Sequence, residues 1–185
     1  MHPPSTSWRA VAPLLIVGLS LSACVTQRVQ QVEPHWVRRG EGVFWDVAAI
    51  YGVGTSATGN AGDTPTDAQP MKVLKPVADE RAQAQVETIL VVYVDQLFQD
   101  ALLAGGDAAD EIPAIQAAIL SEGVIVDRWI DPFSQAVYSL FRIDRRRIPQ
   151  AIMTAGQRDA AGRRRLAAQA DAIFERLRPQ GEAWK

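Results

Sequence analysis

The chain has 185 residues, with 19 basic and 21 acidic side chains, a net charge of −2, two histidines and a single cysteine. One cysteine excludes an internal disulfide, and so few histidines and cysteines restrict the metal and nucleophile chemistry that the chain can carry. A chain of this length holds one domain with a substantial core.

The first 24 residues have the three parts of a secretory signal. Residues 1–9 contain one arginine, residues 10–21 are mostly apolar, and small residues lead to Leu21-Ser22-Ala23-Cys24. The apolar stretch is shorter than the about 20 residues that a membrane-spanning helix needs. Leu-Ser-Ala-Cys resembles the lipobox of bacterial lipoprotein precursors at every position, which implies cleavage between Ala23 and Cys24. The alternatives are an ordinary signal peptide with a chance cysteine, or an uncleaved anchor.

Removal of residues 1–23 leaves a mature chain of 162 residues that begins at Cys24. Acyl groups on Cys24 explain the lone cysteine, and several acyl chains anchor a protein stably where one binds only marginally. Val25 follows, where the inner-membrane retention signal of many such lipoproteins has Asp. The resemblance therefore favours the outer membrane, with the domain facing the periplasm. Residues 24–35 would be the lipidated cysteine and a polar tether that reaches at most about 40 Å.

The sequence of the first half of the domain predicts a strand followed by helices. Apolar residues at the odd positions of 43–53 predict a strand with one apolar face. Residues 55–76 are rich in Gly, Thr, Asp and Pro, which predicts an exposed loop. Apolar spacings of three and four predict a long helix over residues 77–103, with Val91 and Val92 off its main stripe. A short helix is predicted over residues 113–121.

The sequence of the second half predicts a hairpin and a C-terminal helix. Residues 124–130 and 136–143 predict two strands, joined by a turn in which Pro132 stands where a type I turn favours proline. An arginine-rich helical pattern follows and is strongest over residues 159–177. This order predicts an α+β domain over residues 36–185: a small, mainly antiparallel three-stranded sheet covered on one face by helices, plus a basic C-terminal helix.

The charges are unevenly distributed along the domain. Residues 41–131 hold 15 acidic and 4 basic side chains, whereas residues 142–178 hold 10 basic and 4 acidic ones. This division predicts an acidic body and a basic tail, and self-association between them.

Five short motifs occur in a fixed order behind the lipobox: Pro34-His35-Trp36, Tyr51-Gly52-Val53-Gly54, Ala78-Asp79-Glu80-Arg81-Ala82, Val126-Asp127-Arg128-Trp129 and Val137-Tyr138-Ser139-Leu140. Together they resemble the small Gram-negative outer-membrane lipoproteins of the membrane-associated antigen and flagellar assembly lipoprotein type. The resemblance covers roughly residues 36–143. It implies a non-enzymatic α+β domain used in envelope assembly, and it supplies no catalytic, cofactor-binding or metal-binding residue.

A nucleotide-binding loop is another interpretation of the glycines in this part of the chain, which are Gly52, Gly54, Gly59 and Gly62. The dinucleotide fingerprint requires glycine at position 57, which is alanine, and the Gly-Lys-Ser/Thr of a phosphate-binding loop does not occur. We interpret the glycines as the end of a strand that runs into a loop.

The chain has few of the side chains that catalysis or metal binding requires. Once His2 is removed with the signal, His35 near the tether is the only histidine, too few for a zinc site or a Ser-His-Asp triad. A carboxylate pair, as in a glycosidase, remains the enzymatic alternative. The candidates are Glu122, Asp127 and Asp131 around the hairpin, or Asp107, Asp110 and Glu111.

Two runs of arginine and four aromatic residues are the remaining candidates for binding a partner. Residues 145–147 and 163–165 are arginines, which we interpret as solvated helix surface, with contact to an anionic surface or an acidic neighbouring subunit as the alternative. Export removes nucleic acid as a partner. The aromatic side chains are predicted to lie in the core or on the sheet, with an exposed interface patch as the alternative; they are Trp36, Trp45, Trp129 and Tyr138.

These observations predict an outer-membrane lipoprotein, held by acyl chains on Cys24, whose periplasmic domain binds envelope proteins or further copies of itself. We expect no enzymatic activity and no cofactor, and a role in a flagellar or other envelope complex. The alternative is a regulator of peptidoglycan enzymes, for which the tether is short. A cell-wall hydrolase is the third interpretation.

Overall fold

Residues 32–56, 71–102, 111–155 and 160–179 are described by the computed structural model, and all of them belong to one compact unit, Val32–Lys185. The predicted signal, the cleavage site at Ala23 and Cys24, and most of the tether lie outside the described residues. So do the centre of the predicted loop at 55–76 and the acidic residues Asp107 and Asp110.

Among the described residues the sheet has four antiparallel strands, one more than predicted. They are β1 (Gly42–Trp45), β2 (Ala49–Thr55), β3 (Val124–Ile130) and β4 (Val137–Asp144), in the spatial order β1-β2-β4-β3. The single strand predicted over residues 43–53 is a hairpin, β1–β2, whereas the hairpin predicted over residues 124–143 is confirmed as β3–β4.

Asp46 is the reason for the additional turn. Its carboxylate accepts hydrogen bonds from the backbone N–H groups of Ala48 and Ala49, both at 2.7 Å. An aspartate that bonds the backbone two residues ahead reverses a chain in this way. The reversal also changes which face the odd positions occupy, so Trp45 joins the core under the helices while Val53 lies on the opposite face.

Within the described ranges, four α-helices follow or interrupt the strands: α1 (Met71–Leu102), α2 (Ile112–Ser121), α3 (Ile148–Thr154) and α4 (Ala160–Leu177). All four contribute to one apolar core on one face of the sheet, as the sequence predicted. Helix α1 begins six residues earlier than predicted, because Pro76 lies inside it rather than ending the preceding loop.

The C-terminal helix is confirmed and packs on the domain. Leu166, Ala170, Ile173 and Phe174 of α4 are buried. The Tyr93 hydroxyl of α1 donates a 2.8 Å hydrogen bond to the backbone carbonyl of Ala170. The ring of Phe174 lies 5.0 Å from that of Trp45 in β1. These contacts place α4 beside α1 and above the β1 edge of the sheet.

Candidate interaction surface

The face of the sheet opposite the helices carries a second apolar cluster, which we call the outer face. Its rings and aliphatic side chains come from all four strands and from the segment that precedes β1. The buried members are Trp36, Val37, Phe44, Val53, Trp129 and Leu140, with Tyr51 and Tyr138 packed partly buried against them. The prediction that Trp36, Trp45, Trp129 and Tyr138 are core or sheet-face residues is confirmed, three of them on this outer face.

Residues 34–39, which we call the strap, lie across the outer face. A 3₁₀ turn at Val37–Arg39 shapes the strap, with the Val37 N–H donating to the Pro34 carbonyl at 3.0 Å. Trp36 and Val37 are each only 4% exposed. The strap therefore closes an apolar cluster that the strands alone would leave open to water.

A long-range hydrogen bond holds the strap at its centre. The Trp36 indole N–H donates to a carboxylate oxygen of Asp127 at 3.1 Å. The other oxygen of Asp127 accepts the backbone N–H of Arg128 at 2.8 Å. A buried tryptophan usually finds such a partner for its indole N–H, and here Asp127 supplies it from the middle of β3.

Two cations lie over the aromatic rings at the β1–β2 side of the outer face. The rings of Phe44 and Tyr51 stack with centroids 4.9 Å apart. The Arg39 guanidinium lies 5.1 Å from the Phe44 ring, and that of Arg142 lies 6.0 Å from the Tyr51 ring. Both distances are in the range of a cation–π contact, so this surface combines apolar rings with positive charge.

The Tyr51 hydroxyl remains a hydrogen-bond donor at neutral pH. Burial raises its pKa, and the charge and hydrogen bonding of Asp46 raise it further, while Arg142 acts in the opposite direction. The hydroxyl donates to Asp46 at 3.0 Å. Tyr51 thereby links the outer face to the turn that creates the additional strand.

Two buried donors on the outer face find no hydrogen-bond acceptor among the described residues. They are the indole N–H of Trp129 and the Nε–H of Arg142. Trp129 is 7% exposed, and its ring lies 5.6 Å from that of Tyr138. A buried donor without an acceptor is costly, so these two groups lower the stability of the fold at this face.

On the helix side of the sheet, Asp79 joins α1 to β3 and β4. Arg128 donates two hydrogen bonds to its carboxylate, at 2.9 and 2.7 Å, and the fully buried Ser139 hydroxyl donates a third at 2.6 Å. Burial alone would raise the pKa of Asp79, but the hydrogen bonds from Arg128 and Ser139 and the nearby positive charges outweigh it and leave the pKa below its usual value. This cluster orients the helix on the sheet.

The carboxylates proposed for a glycosidase have other roles in the structure. Glu122 accepts a hydrogen bond from Arg147 at 3.1 Å, Asp127 holds Trp36, and Asp131 caps the β3–β4 turn through Phe133 and Ser134. Asp127 and Asp131 are four residues apart along an extended strand, which separates their Cα atoms by about 13 Å. Paired glycosidase carboxylates stand about 5–10 Å apart. Glu111 lies directly before α2.

The basic tail is neutralised in part within the chain. Arg145 bonds Asp171 at 2.6 Å and also Glu175, and its guanidinium lies 5.0 Å from the Phe174 ring. Further pairs among the described residues include Arg142 with Asp144, Arg147 with Glu122 and Arg178 with Glu175. These internal pairs leave fewer tail arginines available for the predicted electrostatic self-association.

The pair Gly52 and Gly54 serves packing between helix and sheet. Both lie inside β2, and a Cβ atom on either would lie 2.2 Å from the backbone of Ala82 in α1. Only glycine allows the helix to approach this closely. The interpretation as a strand end entering a loop was right about the strand and missed the reason for the glycines.

Metal binding and membrane spanning are the two further properties that the described ranges address. No group of three His, Cys, Asp or Glu side chains there could hold a metal ion. Within the same part of the chain, no helix is both long enough and apolar enough to cross a membrane. His35 is exposed within the strap.

The fold and the outer face define an α+β domain with helices on one face of its sheet and a strap over an aromatic cluster on the other. A scan against known protein families finds no match to this chain. A search of curated proteins likewise finds no matching relative.

Proposed function

We propose that this chain is a bacterial outer-membrane lipoprotein whose periplasmic domain acts as a non-enzymatic interaction module in an envelope assembly. The observation that carries the anchoring is Leu21-Ser22-Ala23-Cys24 at the end of an apolar stretch too short to span a membrane. Val25 after the cysteine supports the outer membrane. The absence of a second cysteine supports a modified Cys24.

The resemblance to the antigen and flagellar assembly lipoproteins gains support from where its motifs lie. Gly52 and Gly54 of the first strand motif contact the helix motif at Ala78 and Ala82. The two hairpin motifs pair with each other, for example Trp129 with Tyr138. Short motifs that contact one another in three dimensions are more informative than the same motifs scattered over a surface. This supports the interpretation that the motifs belong to one packed unit of the domain.

The interaction role is supported by the chemistry of the outer face. Aromatic rings, cations over two of them, and the two buried donors of Trp129 and Arg142 occur together on one surface. Aromatic residues and arginine are enriched in the centres of protein interfaces. The partner that fits is an envelope protein that presents carboxylate oxygens to the partly exposed Arg142 side chain at the edge of this face.

The anchoring is tested by labelling growing cells with a radioactive fatty acid. Wild-type protein should carry the label in the outer-membrane fraction, and Cys24→Ser protein should not. A Ser22→Thr control, which leaves the cysteine in place, should keep the label. Label retained by Cys24→Ser would contradict the proposal.

The interaction role is tested with two matched charge reversals. Arg142→Glu changes the outer face and Arg164→Glu changes an exposed position of α4. In a native gel of detergent-solubilised membranes, we expect wild type and Arg164→Glu to migrate in a complex larger than the lipidated monomer, and Arg142→Glu to lose it. Equal melting temperatures of the two variants would show that loss of the complex does not come from misfolding. A complex unaffected by Arg142→Glu would exclude the outer face as the binding surface.

The non-enzymatic role has a separate test. Peptidoglycan cleavage by the purified protein would exclude it.

A further inference from the structure

The side chain of Phe133 lies in water at the tip of the β3–β4 hairpin. It is 95% exposed, whereas the rings of Trp129 and Tyr138 in the same hairpin are buried and half-buried, respectively. Burial of a phenylalanine ring is worth a factor of about ten to a hundred in an equilibrium constant. Phe133 therefore favours a contact that takes its ring out of water.

Hydrogen bonds within the turn fix the backbone that presents this ring. The Asp131 carboxylate accepts the Phe133 N–H at 2.8 Å and the Ser134 hydroxyl at 2.6 Å. The Asp131 carbonyl accepts the Gln135 N–H, and the Asp131 N–H donates to the Ala136 carbonyl, both at 2.9 Å. Gln135 has φ 61°, in the left-handed region. A ring on so constrained a turn loses little backbone freedom when it enters an apolar environment.

The direction of the strap indicates where the chain leaves the domain towards Cys24. The strap joins β1 just before Gly42, and Gly42 lies in the same cross-strand row as Asp127 of β3. Trp36, near the other end of the strap, bonds Asp127. The strap therefore crosses the sheet from β1 to β3, and the residues before it leave the domain beside β3, the strand that leads to Phe133.

The hairpin tip is close enough to this exit to reach a membrane that holds Cys24. Phe133 follows Asp127 by six residues, so at most about 22 Å separates their Cα atoms. The chain from Cys24 to Trp36 spans at most about 40 Å. The tip can therefore touch the lipid surface while the tether is well short of full extension.

We propose that Phe133 inserts into the lipid leaflet to which Cys24 is anchored and makes the hairpin tip a second contact with the membrane. This contact rests on the proposed lipid anchor. Residues 132–135, Pro-Phe-Ser-Gln, carry no charge, and phenylalanine is typical of side chains that enter the boundary between headgroups and acyl chains. The carboxylate of Asp131 is satisfied within the turn by donors from Phe133 and Ser134.

The anchor makes one ring sufficient for this contact. Acyl chains on Cys24 would remove most of the translational freedom that a free protein loses on binding, and they would keep the tip at a high effective concentration beside the lipid. The contact also orients the outer face. Arg142 lies five residues beyond Val137 along β4, towards the opposite end of the sheet, and is thereby directed away from the lipid.

The test places a reporter beside the intact ring in the lipidated protein. Because acylation occupies the sulfur of Cys24, Pro132→Cys supplies the single free thiol for an environment-sensitive fluorophore. The protein is purified from membranes and placed in vesicles of phosphatidylethanolamine and phosphatidylglycerol that contain a lipid with a nitroxide near the top of its acyl chains. Insertion to about 5–10 Å should quench this reporter at least about twofold more strongly than one at Val47→Cys. Val47 is exposed and lies at the opposite end of the sheet.

The double variant Pro132→Cys/Phe133→Ser tests the ring itself, and its reporter should be quenched no more than the one at Val47→Cys. Equal melting temperatures of the labelled proteins confirm a common fold. If Pro132→Cys lowers the melting temperature, Phe133→Cys places the reporter at the ring position, and its comparison with Val47→Cys decides the question.

Three results would overturn the proposal: equal quenching at the hairpin tip and at Val47→Cys, quenching at Pro132→Cys that survives Phe133→Ser, or a tip reporter shielded in native membranes but not in the vesicles. The third result would show that Phe133 enters a partner protein instead. Failure of the anchor is distinguishable, because wild type would then react with the fluorophore through a free Cys24. Wild type that takes up no fluorophore, together with equal quenching, would reject the membrane contact alone.

Discussion

Gly54 of β2 lies so close to Ala82 of α1 that a Cβ atom on the glycine would stand 2.2 Å from the alanine backbone nitrogen. The next contacts of that atom would be the Ala78 carbonyl oxygen at 2.5 Å and the Arg81 carbonyl carbon at 2.7 Å. All three are backbone atoms, which cannot move aside as the end of a flexible side chain can. The distance between the long helix and the sheet is therefore set by the absence of a side chain at this position.

Gly54→Ala should destabilise the domain by about 3 kcal/mol, because it forces α1 away from the sheet. Urea unfolding followed by circular dichroism measures the effect. The double variant Gly54→Ala/Ala82→Gly should recover little of the lost stability, since removing a side chain leaves the clashing backbone in place. Full rescue by Ala82→Gly would show that side chains set this distance.

Arg145→Ala should destabilise the domain by about 2 kcal/mol, because it removes charged hydrogen bonds to α4. Arg145 joins the end of β4 to Asp171 and Glu175 and also bonds the Val47 carbonyl. The neighbouring and exposed Arg146 is the matched control, and Arg146→Ala should change stability by less than about 0.5 kcal/mol. Equal effects of the two substitutions in thermal unfolding would show that the pairs with α4 contribute little.

Asp79→Asn should remove part of the acid sensitivity of the domain. The pKa of Asp79 is lower in the folded protein than the value of 3.8 expected for an unperturbed aspartate. Its ionised form therefore stabilises the fold fully above that value, and the stabilisation disappears as the pH falls through the lowered pKa. The free-energy difference between wild type and Asp79→Asn should thus shrink as the pH falls from 6 towards 2, by about the size of the shift.

Glu87→Gln controls for the general effect of removing a carboxylate from α1, because Glu87 is exposed on the same helix. The difference between wild type and this variant is measured over the same pH range and subtracted as the general effect. A difference for Asp79→Asn that shrinks no more than that of the control would mean that Arg128 and Ser139 do not favour the ionised form.

Tyr93→Phe should cost about 1–2 kcal/mol, because it removes the buried hydrogen bond that the Tyr93 hydroxyl donates to the Ala170 carbonyl of α4. Burial, with a contribution from Asp171, raises the pKa of Tyr93 far above its usual value, so the hydroxyl stays a donor throughout the pH range of such measurements. The half-buried Tyr138 is the comparison, and Tyr138→Phe should have the smaller effect in urea unfolding. The reverse order would contradict the assigned role of Tyr93.

The candidate interaction surface could be predicted only in part. The sequence placed Trp36, Trp129 and Tyr138 on the sheet or in the core, and the structure confirms it. Asp127 was considered as a catalytic carboxylate, whereas it bonds the Trp36 indole across a separation of 91 residues. The close packing of α1 on β2 was also not predicted. Its signal in the sequence is the pair of small residues two apart in the strand, Gly52 and Gly54, together with the pair four apart in the helix, Ala78 and Ala82.

By itself, the sequence determined the features that depend on neighbouring residues: the α+β class, the β3–β4 hairpin, the long helix and the apolar stripe of α4. Each follows from a repeat of two or of three to four residues, which is a local property of the chain. Only the tertiary structure decided the fourth strand, the strap over the outer face and the pairing of the tail arginines. Those depend on which residues meet from distant parts of the chain. Asp46 could reverse the chain in one context and stay within a strand in another, and packing selects between them.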